Sequence, residues 1–468
     1  MAKHLHIIGI CGTAMAGLAA LAKDKGWQVT GSDAGIYPPM STFLEQQDIK
    51  MYEGFSADNL NPTPDQILVG NAISRGNPEL EALMDMGLQY CSGAQWLFEN
   101  VLSERHPVVV TGTHGKTSTT SLIAKVLDSG GWQPGFFIGG IPQDFGQGVR
   151  FPKSKWVVVE GDEYDTAFFD KRPKFLHYRP RTLILHNLEF DHADIYPDLE
   201  AIRKQFRLLL RSVPASGHVI ANGDDPEIKA LLPYAFSKLV TYGFSKENNY
   251  YAKLLQKDCR RWQVCSNEQT LLTVDWNLIG RHNVINGMAA AAVALVHGME
   301  PEQVKVGLQS FKGVARRLQK RCELKDITIY DDFAHHPTAI KTTLQGLKAV
   351  AGTRGRVWVV LEPRSNTMRR RIHQDRLGDA LSPADKIILA RPAPRGLTKE
   401  ELLDVDVIVK NLNIEKNSPK GDSAYVVADA AEAVDLLTNQ WQPWDQVVIM
   451  SNGGFDGIHA KIEAQLIE

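Results

Sequence analysis

The chain has 468 residues, 43% of them hydrophobic and 23% charged, with 52 Lys plus Arg against 54 Asp plus Glu. That length exceeds what one hydrophobic core supports, so two or three domains are predicted, and the near-neutral balance excludes a global field that would gather nucleic acid or acidic membrane. No apolar run approaches the ~20 residues of a membrane span, and five scattered cysteines without a C-x-x-C pair exclude a disulfide framework and point to a reducing cytoplasm.

The first hundred residues alternate short apolar runs with amphipathic ones: "HLHIIGI", "MAGLAALAKDKG", "WQVTGSD", "DQILVGNAI". This rhythm predicts β-α-β units and a parallel sheet covered by helices. Within it, "GICGTAMAG" sets Gly9, Gly12 and Gly17 between a strand and a helix, with Asp33 closing the next strand. The spacing departs from G-x-G-x-x-G, which argues against a nicotinamide cofactor, while a helix N-terminus still suits another pyrophosphate.

Polar residues and Pro107 precede a new buried strand, so a boundary is expected near residue 106. The strand "PVVVTG" runs into "THGKTSTTSLIAKVL", a phosphate loop whose expected first glycine is Val110. Gly112 and Gly115 still permit a tight turn, Lys116 can reach the outer phosphates of a nucleotide, and Thr117 offers a hydroxyl to magnesium. The strands "WVVVEGD" and "TLILHN" end in acidic clusters: Glu160, Asp162, Glu163 and Asp165 after the first, Asn187, Glu189, Asp191 and His192 after the second. A divalent cation beside a triphosphate needs such oxygen ligands, although histidine is an unusual partner for a hard cation and acidic loops are commonly just solvated. A mixed stretch reaches about residue 310, and "GVARRLQKR" reads as a solvated hinge. Beyond it "ITIYDDFAHHP", "GRVWVVLEPRS", "KIILARP" and "QVVIMSNGGF" predict a third series of strands that end in polar turns.

"TGTHGKTST", "EGDEYD", "NLEFDHAD", "GRHNVINGMAA" and "YDDFAHHPT", in that order, resemble the Mur ligases, which extend the peptide stem of bacterial cell-wall precursors. The resemblance implies an α/β protein of three domains. Residues 1–105 would form a Rossmann-like domain for UDP-N-acetylmuramate, 106–312 a central P-loop ATPase-like domain for ATP and magnesium, and 313–468 a Rossmann-like domain that closes on ATP and receives the amine. It further implies carboxylate activation: the muramoyl carboxylate takes the γ-phosphoryl group, and an amine then displaces phosphate. By motif, Gly112, Thr113, His114, Gly115, Lys116, Thr117 and Ser118 would hold the phosphates. Asn286 would read adenine, although capping of its helix is the plainer role for Asn283 and Asn286. Asp332 would take the ribose, Arg317 the γ-phosphate, and His335 a phosphate contact. Thr117, Glu163 and His192 would hold magnesium, and Lys116, Glu163, His192, Arg317 and His335 would form the catalytic set. Gly9, Gly12, Thr13, Asp33, Asn71 and Asn187 would contact the sugar nucleotide.

Several members of the family carry a carbamylated lysine downstream of the metal histidine. Here that region reads "EAIRKQFRLLL", with Phe206 and Arg207 at the expected place and Lys204 nearby, so no such lysine is assigned. "GICGTAM", "FDHAD" and "DDFAHHP" look most like the branch that acts on UDP-N-acetylmuramate itself, and "SDAGIYPPMS", "NAISRGNPE", "LEPRSNTM" and "MSNGGFDGIH" resemble its recycling ligase, which attaches an intact L-alanyl-γ-D-glutamyl-meso-diaminopimelate tripeptide. Arg364, Ser365, Asn366 and Met368 are therefore the candidates for binding the tripeptide, with Arg364 suited to a bidentate carboxylate contact; its plainer role would be to brace a domain interface. An L-alanine ligase, a P-loop switch protein and a dehydrogenase remain as alternatives.

Overall fold

The computed structural model describes residues 2–38, 40–193, 195–416 and 423–467. Pro39, within "SDAGIYPPMS", and Asp194, the last residue of "FDHAD", lie outside the described residues. Three open sheets follow one another along the chain.

The first is parallel, in the order Lys50–Glu53, Gln28–Asp33, His4–Ile8, Gln66–Val69, Tyr90–Ser92. Strand order reverses beside His4–Ile8, and ligands of open α/β sheets sit at the carboxyl ends of strands at that point. Gly9, at φ 84°, and Asn71, just past Gln66–Val69, are both there. The helix Thr13–Asp24 buries every residue from Met15 to Ala22, as its run of alanines and leucines allows.

The second sheet has ten described strands. Its parallel centre is Lys238–Gly243, His218–Asn222, Thr182–Leu185, His106–Thr111, Trp156–Glu160, Gly135–Phe137. The stretch between residues 250 and 275 that reads as mixed in sequence extends this sheet by three strands, the first parallel to Lys238–Gly243 and the three joined to one another by two antiparallel pairings. In the strand His106–Thr111, Val109 faces the cluster that holds Phe175 and the apolar side of the helix Leu199–Ser212 and continues into the first domain, while Val108 and Val110 share a cluster with the helices Lys116–Ser129 and Arg281–Val296. Successive side chains point to opposite faces, so a strand covered on both sides reads as an unbroken apolar run. The third sheet runs Gln319–Leu324, Ile327–Asp332, Gln446–Met450, Val357–Leu361, Lys386–Ala390, Ala424–Val427, parallel except for its first strand.

Two junctions position the site. Between the first and second domains, Gly17 lets its helix lie against the short hairpin of the central sheet; a Cβ there would stand 2.7 Å from Val149 Cγ1 and 3.0 Å from Phe137 Cε2. Between the second and third, "GVARRLQKR" is half-buried through Leu318 rather than a solvated hinge. Val314 bridges Pro142, the Ala315 amide donates to the Ile141 carbonyl at 2.9 Å, and the Arg316 guanidinium donates to the carbonyls of Ser451 and Gly453 at 2.8 and 2.7 Å. Its charge pattern reads as a solvated stretch, but it is bonded to both domains: the Phe333 amide of the third domain donates to the Arg316 carbonyl at 2.8 Å, and the Arg317 guanidinium reaches Thr117 of the second.

Replacing Gly17 by Ile should wedge the first junction apart. Overpacking of this kind costs about 1–3 kcal/mol, so a lowered denaturation midpoint and weakened sugar-nucleotide binding, with ATP binding retained, are the expected results by denaturant titration and calorimetry.

Candidate active site

The phosphate loop is held open by glycines and tied down from below. Gly112 has φ 145° and Gly115 φ 77°, backbone conformations that suit glycine. A Cβ on Gly115 would also meet Asn286 Oδ1 at 2.9 Å and His186 Nε2 at 3.1 Å. Val110 simply belongs to the strand that delivers the loop, so the missing first glycine shortens the loop without removing its turn. Asn187 uses both ends of its amide on His114: Oδ1 accepts from the His114 amide at 2.8 Å, and Nδ2 donates to its carbonyl at 3.0 Å. Thr113 Oγ1 accepts from the Glu189 amide at 2.8 Å and donates to the Glu189 carbonyl at 3.1 Å.

The helix Lys116–Ser129 starts at this loop with its free amides toward the site, which favours negative charge. Lys116 Nζ donates to Glu163 at 2.8 Å and to the Gly112 carbonyl at 2.8 Å. His192 Nε2 lies 3.3 Å from the same carboxylate, with its own backbone at φ 54°. Burial opposes the charge on Glu163, but Lys116 and His192 outweigh it and hold the carboxyl at about 2. The predicted pair Glu163 and His192 is thus brought together.

Thr117 faces a different carboxylate. Its hydroxyl donates to Glu160 Oε2 at 3.1 Å, while Arg317, arriving from the third domain's linker, donates to that hydroxyl at 3.3 Å. Glu160 also accepts from the Gly139 amide at 2.7 Å. Burial, and then Asp162 beside it, push the Glu160 carboxyl up to about 7. Sequence reasoning placed Glu160 in the acidic cluster but gave it no role of its own; only the fold shows that it, and not Glu163, meets Thr117. A half-buried carboxylate destabilised in its charged form, beside a threonine hydroxyl and a second carboxylate, matches the oxygen donors that magnesium takes.

Two cavities flank this centre. One of about 850 Å³ lies between the first and second domains and is lined by Gly9, Gly12, Thr13, Asp33 and Asn71 on one side and Glu160, Asp162, Tyr164 and Lys174 on the other. Asp33 also braces the glycine turn, accepting from the Cys11 amide at 2.9 Å. The other, of about 430 Å³, lies between the second and third domains and brings together His114, Gly115, Ser118, Asn187, Asn286, Arg317 and Asp332. Asn286 is buried mid-helix and accepts from Thr119 Oγ1 at 3.1 Å. Gly280 is the N-cap, so neither Asn283 nor Asn286 caps this helix. Asp332 is buried, with one oxygen on Thr343 Oγ1 at 3.0 Å and the other on the Ala334 amide at 3.1 Å. His335 Nδ1 faces the Phe333 carbonyl at 2.9 Å, and burial lowers its pKa. His186, which sequence reading passed over, lies under the loop against Tyr242 Oη at 2.7 Å, and burial pushes it down to about 4. It ends the strand one residue before Asn187, and that was the available signal.

Among the described residues, one set of at least three metal-capable histidine and acidic side chains gathers within 4.8 Å: His114, Glu189 and His336. His336 Nδ1 accepts from the Thr338 amide at 3.3 Å as it caps the helix Pro337–Ala351. Burial, then His114, keep the ring neutral at about 3, so its proton sits on Nε2 and neither nitrogen offers a free lone pair.

The tripeptide candidates sit on the turn after Val357–Leu361. Arg364 lies 3.4 Å from Glu362 and packs on Gly453, where a Cβ would stand 2.3 Å from its Nε. Ser365 Oγ accepts from the Met368 amide at 3.1 Å and Asn366 Oδ1 from Arg369 at 2.7 Å. Met368 departs from its expected role: it is 1% exposed and packs in the third domain's core, because the turn folds its apolar side chain inward. Arg369 is the residue missed here. It is 6% exposed, has no carboxylate within ion-pair distance among the described residues, and has no hydrogen-bond partner at Nη1. Downstream, Phe206 is fully buried, Arg207 pairs with Glu200, and Lys204 faces solvent, so none of them approaches the metal residues.

Three family models match consecutive parts of the chain: the Mur ligase family catalytic domain over residues 4–105, the Mur ligase middle domain over 110–294, and the Mur ligase glutamate ligase domain over 316–453. The UDP-N-acetylmuramate–L-alanyl-γ-D-glutamyl-meso-2,6-diaminoheptandioate ligase of Escherichia coli K12 is 44% identical over 459 residues, 98% of this chain and 97% of that protein. The crystal structure of a murein peptide ligase from Psychrobacter arcticus 273-4 superposes with a TM-score of 0.73 at 39% identity, covering 99% of both chains. The UDP-N-acetylmuramate–L-alanine ligase of Desulfosudis oleivorans is more distant, at 33% over 97% of this chain and 96% of that one. With all three domain models matched in order and this identity sustained over nearly its full length, the chain belongs to the Mur ligase family.

Proposed function

We propose that this chain is the ATP-dependent ligase that joins UDP-N-acetylmuramate to the tripeptide L-alanyl-γ-D-glutamyl-meso-diaminopimelate in peptidoglycan recycling, with the domain division 1–105, 106–312 and 313–468. The observation that carries the reading is the junction of Glu160, Thr117 and Arg317. Glu160 lines the first cavity, Arg317 lines the second, and both touch the phosphate-loop threonine. A carboxylate presented from the first cavity therefore meets the γ-phosphate of ATP held in the second. The greater distance of the L-alanine ligases favours the tripeptide over free L-alanine as the amine.

In the reaction the muramoyl carboxylate oxygen bonds to the γ-phosphorus as the bridging bond to ADP breaks. The peptide amine then bonds to the acyl carbon, the carbon–oxygen bond to phosphate breaks, and the amine loses its proton. Lys116 and Arg317 offset charge on the transferring phosphoryl group, and Asn187 and Thr113 hold the loop that orients it. Magnesium, held by Thr117, Glu160 and Glu163 with His192 at the edge of the set, would add electrostatic stabilisation of the same charge. The tripeptide carries several carboxylates, and the guanidinium groups of Arg364 and Arg369 are donors suited to them.

Lys116→Ala should abolish ligation while UDP-N-acetylmuramate still binds; calorimetry on the folded variant checks this, and joint loss of both ligands would count against the domain assignment. Glu160→Gln and His192→Ala should each raise the magnesium concentration needed for half-maximal rate and slow acyl phosphate formation by roughly 10²-fold; unchanged magnesium titrations would remove these residues from the metal site. Arg364→Lys keeps the charge but loses the planar two-donor geometry. It should raise the tripeptide KM with little effect on the other substrates, and Arg364→Ala should cost about 2 kcal/mol or more. Steady-state kinetics varying each substrate decides: equal losses for all three would make Arg364 a brace for the "MSNGGF" turn, and efficient use of free L-alanine by the wild type would select the L-alanine reaction.

A further inference from the structure

Glu189 joins the phosphate loop to the third domain. Its backbone is bonded in both directions to Thr113 of the phosphate loop, and its carboxylate oxygen Oε1 stands 3.6 Å from His114 Nε2 of the same loop. Its other oxygen, Oε2, faces the third domain. There it accepts from Thr338 Oγ1 at 2.8 Å and from Arg376 Nη2 at 3.2 Å, and His336 Nδ1 lies 3.9 Å away. Thr338 begins the helix Pro337–Ala351, and Arg376 lies on the helix Gln374–Leu381, so one carboxylate gathers two helices of the third domain. The two domains also meet without charge at Gly346, where a Cβ would stand 3.2 Å from Gly280 Cα, and along the linker, where the Ala315 amide donates to the Ile141 carbonyl at 2.9 Å.

We infer that Glu189 is a positioning residue that latches the third domain onto the phosphate loop, so that a loop ordered by ATP favours the docked domain and the docked domain favours the ordered loop. The inference rests on the ATP dependence of the family and not on the identity of the amine. The coupling is reciprocal, as any linkage between two sites through a shared element must be. Two groups of the third domain, Thr338 and Arg376, donate to the carboxylate and His114 faces it from the loop, and the charge on Arg376 makes the contact one that Gln cannot fully replace. His373 packs edge-on to His336 at 4.9 Å between ring centroids and encloses the latch from the far side.

The test uses the full chain with a non-hydrolysable ATP analogue and magnesium. Small-angle scattering should show wild type compacting on addition of the analogue, with Glu189→Ala and Arg376→Ala both remaining extended, and with Glu189→Gln intermediate. In turnover, Glu189→Ala should lower kcat on the order of tenfold while the KM for UDP-N-acetylmuramate stays within about twofold, since domain closure and not sugar-nucleotide contact is lost. Adding Arg376→Ala to Glu189→Ala should cause no further loss, as expected when both side chains act through one contact. Full compaction of Glu189→Ala, or additive losses in the double variant, would overturn the latch. Because the scattering arm needs no amine, failure of the tripeptide assignment would leave it readable.

Discussion

The Lys116–Glu163 ion pair, with side chains 13% and 4% exposed, is the contact around which the catalytic centre is arranged. Taking two charges out of water costs several kcal/mol for each ion unless further hydrogen bonds satisfy them. Here the Gly112 carbonyl completes Lys116, His192 supports Glu163, and the Tyr196 hydroxyl anchors the backbone at Glu163. Each partner comes from the end of a different strand or from the loop beyond it. The pair therefore requires the central sheet to be in register, and the sheet requires both of its faces to be covered.

The two faces of that sheet belong to different apolar clusters. Val109 and its neighbours are buried by a cluster that continues into the first domain, while Val108 and Val110 are buried by the central domain's own helices. The first cavity consequently opens where the two α/β units meet, and the second where the linker carries Arg317 back over the phosphate loop. Thr117 lies at the meeting point, in contact with one residue from the border of each cavity. Chemistry that passes a phosphoryl group between a nucleotide and a carboxylate needs this geometry, since most of the rate comes from positioning and from fixed charge.

The third domain shows a different division of labour. Its turn after Val357–Leu361 places Arg364 over a glycine and leaves Arg369 without a carboxylate partner, while the neighbouring Arg370 and Arg371 pair with Glu401 and Asp404. The Arg369 guanidinium instead donates to the Asn366 side chain at 2.7 Å and to the Ser365 carbonyl at 3.4 Å, which leaves Nη1 without a partner.

The sequence by itself determined the parts whose signal is local. Glycines at positive φ, a strand running into a lysine and threonine at a helix start, and acidic residues just past buried strands each follow from the conformation or chemistry of a few adjacent residues, and so Lys116 and Thr117 were legible, while Glu163 and His192 were singled out from their clusters by the family resemblance. The family resemblance supplied Asn286, Arg317 and Asp332, whose roles no local pattern would reveal. Tertiary structure alone decided that Thr117 meets Glu160 rather than Glu163, that Asn187 holds the phosphate loop, that Met368 turns into the core while Arg369 pairs with Asn366 and with no carboxylate among the described residues, and that Glu189 reaches a domain some 150 residues further along the chain, its Thr338 partner lying 149 residues away. The reason is physical: motif chemistry is carried by neighbours in the chain, whereas partner choice among several acids or several arginines depends on which strand ends the sheet order brings side by side, and that order is set by long-range packing.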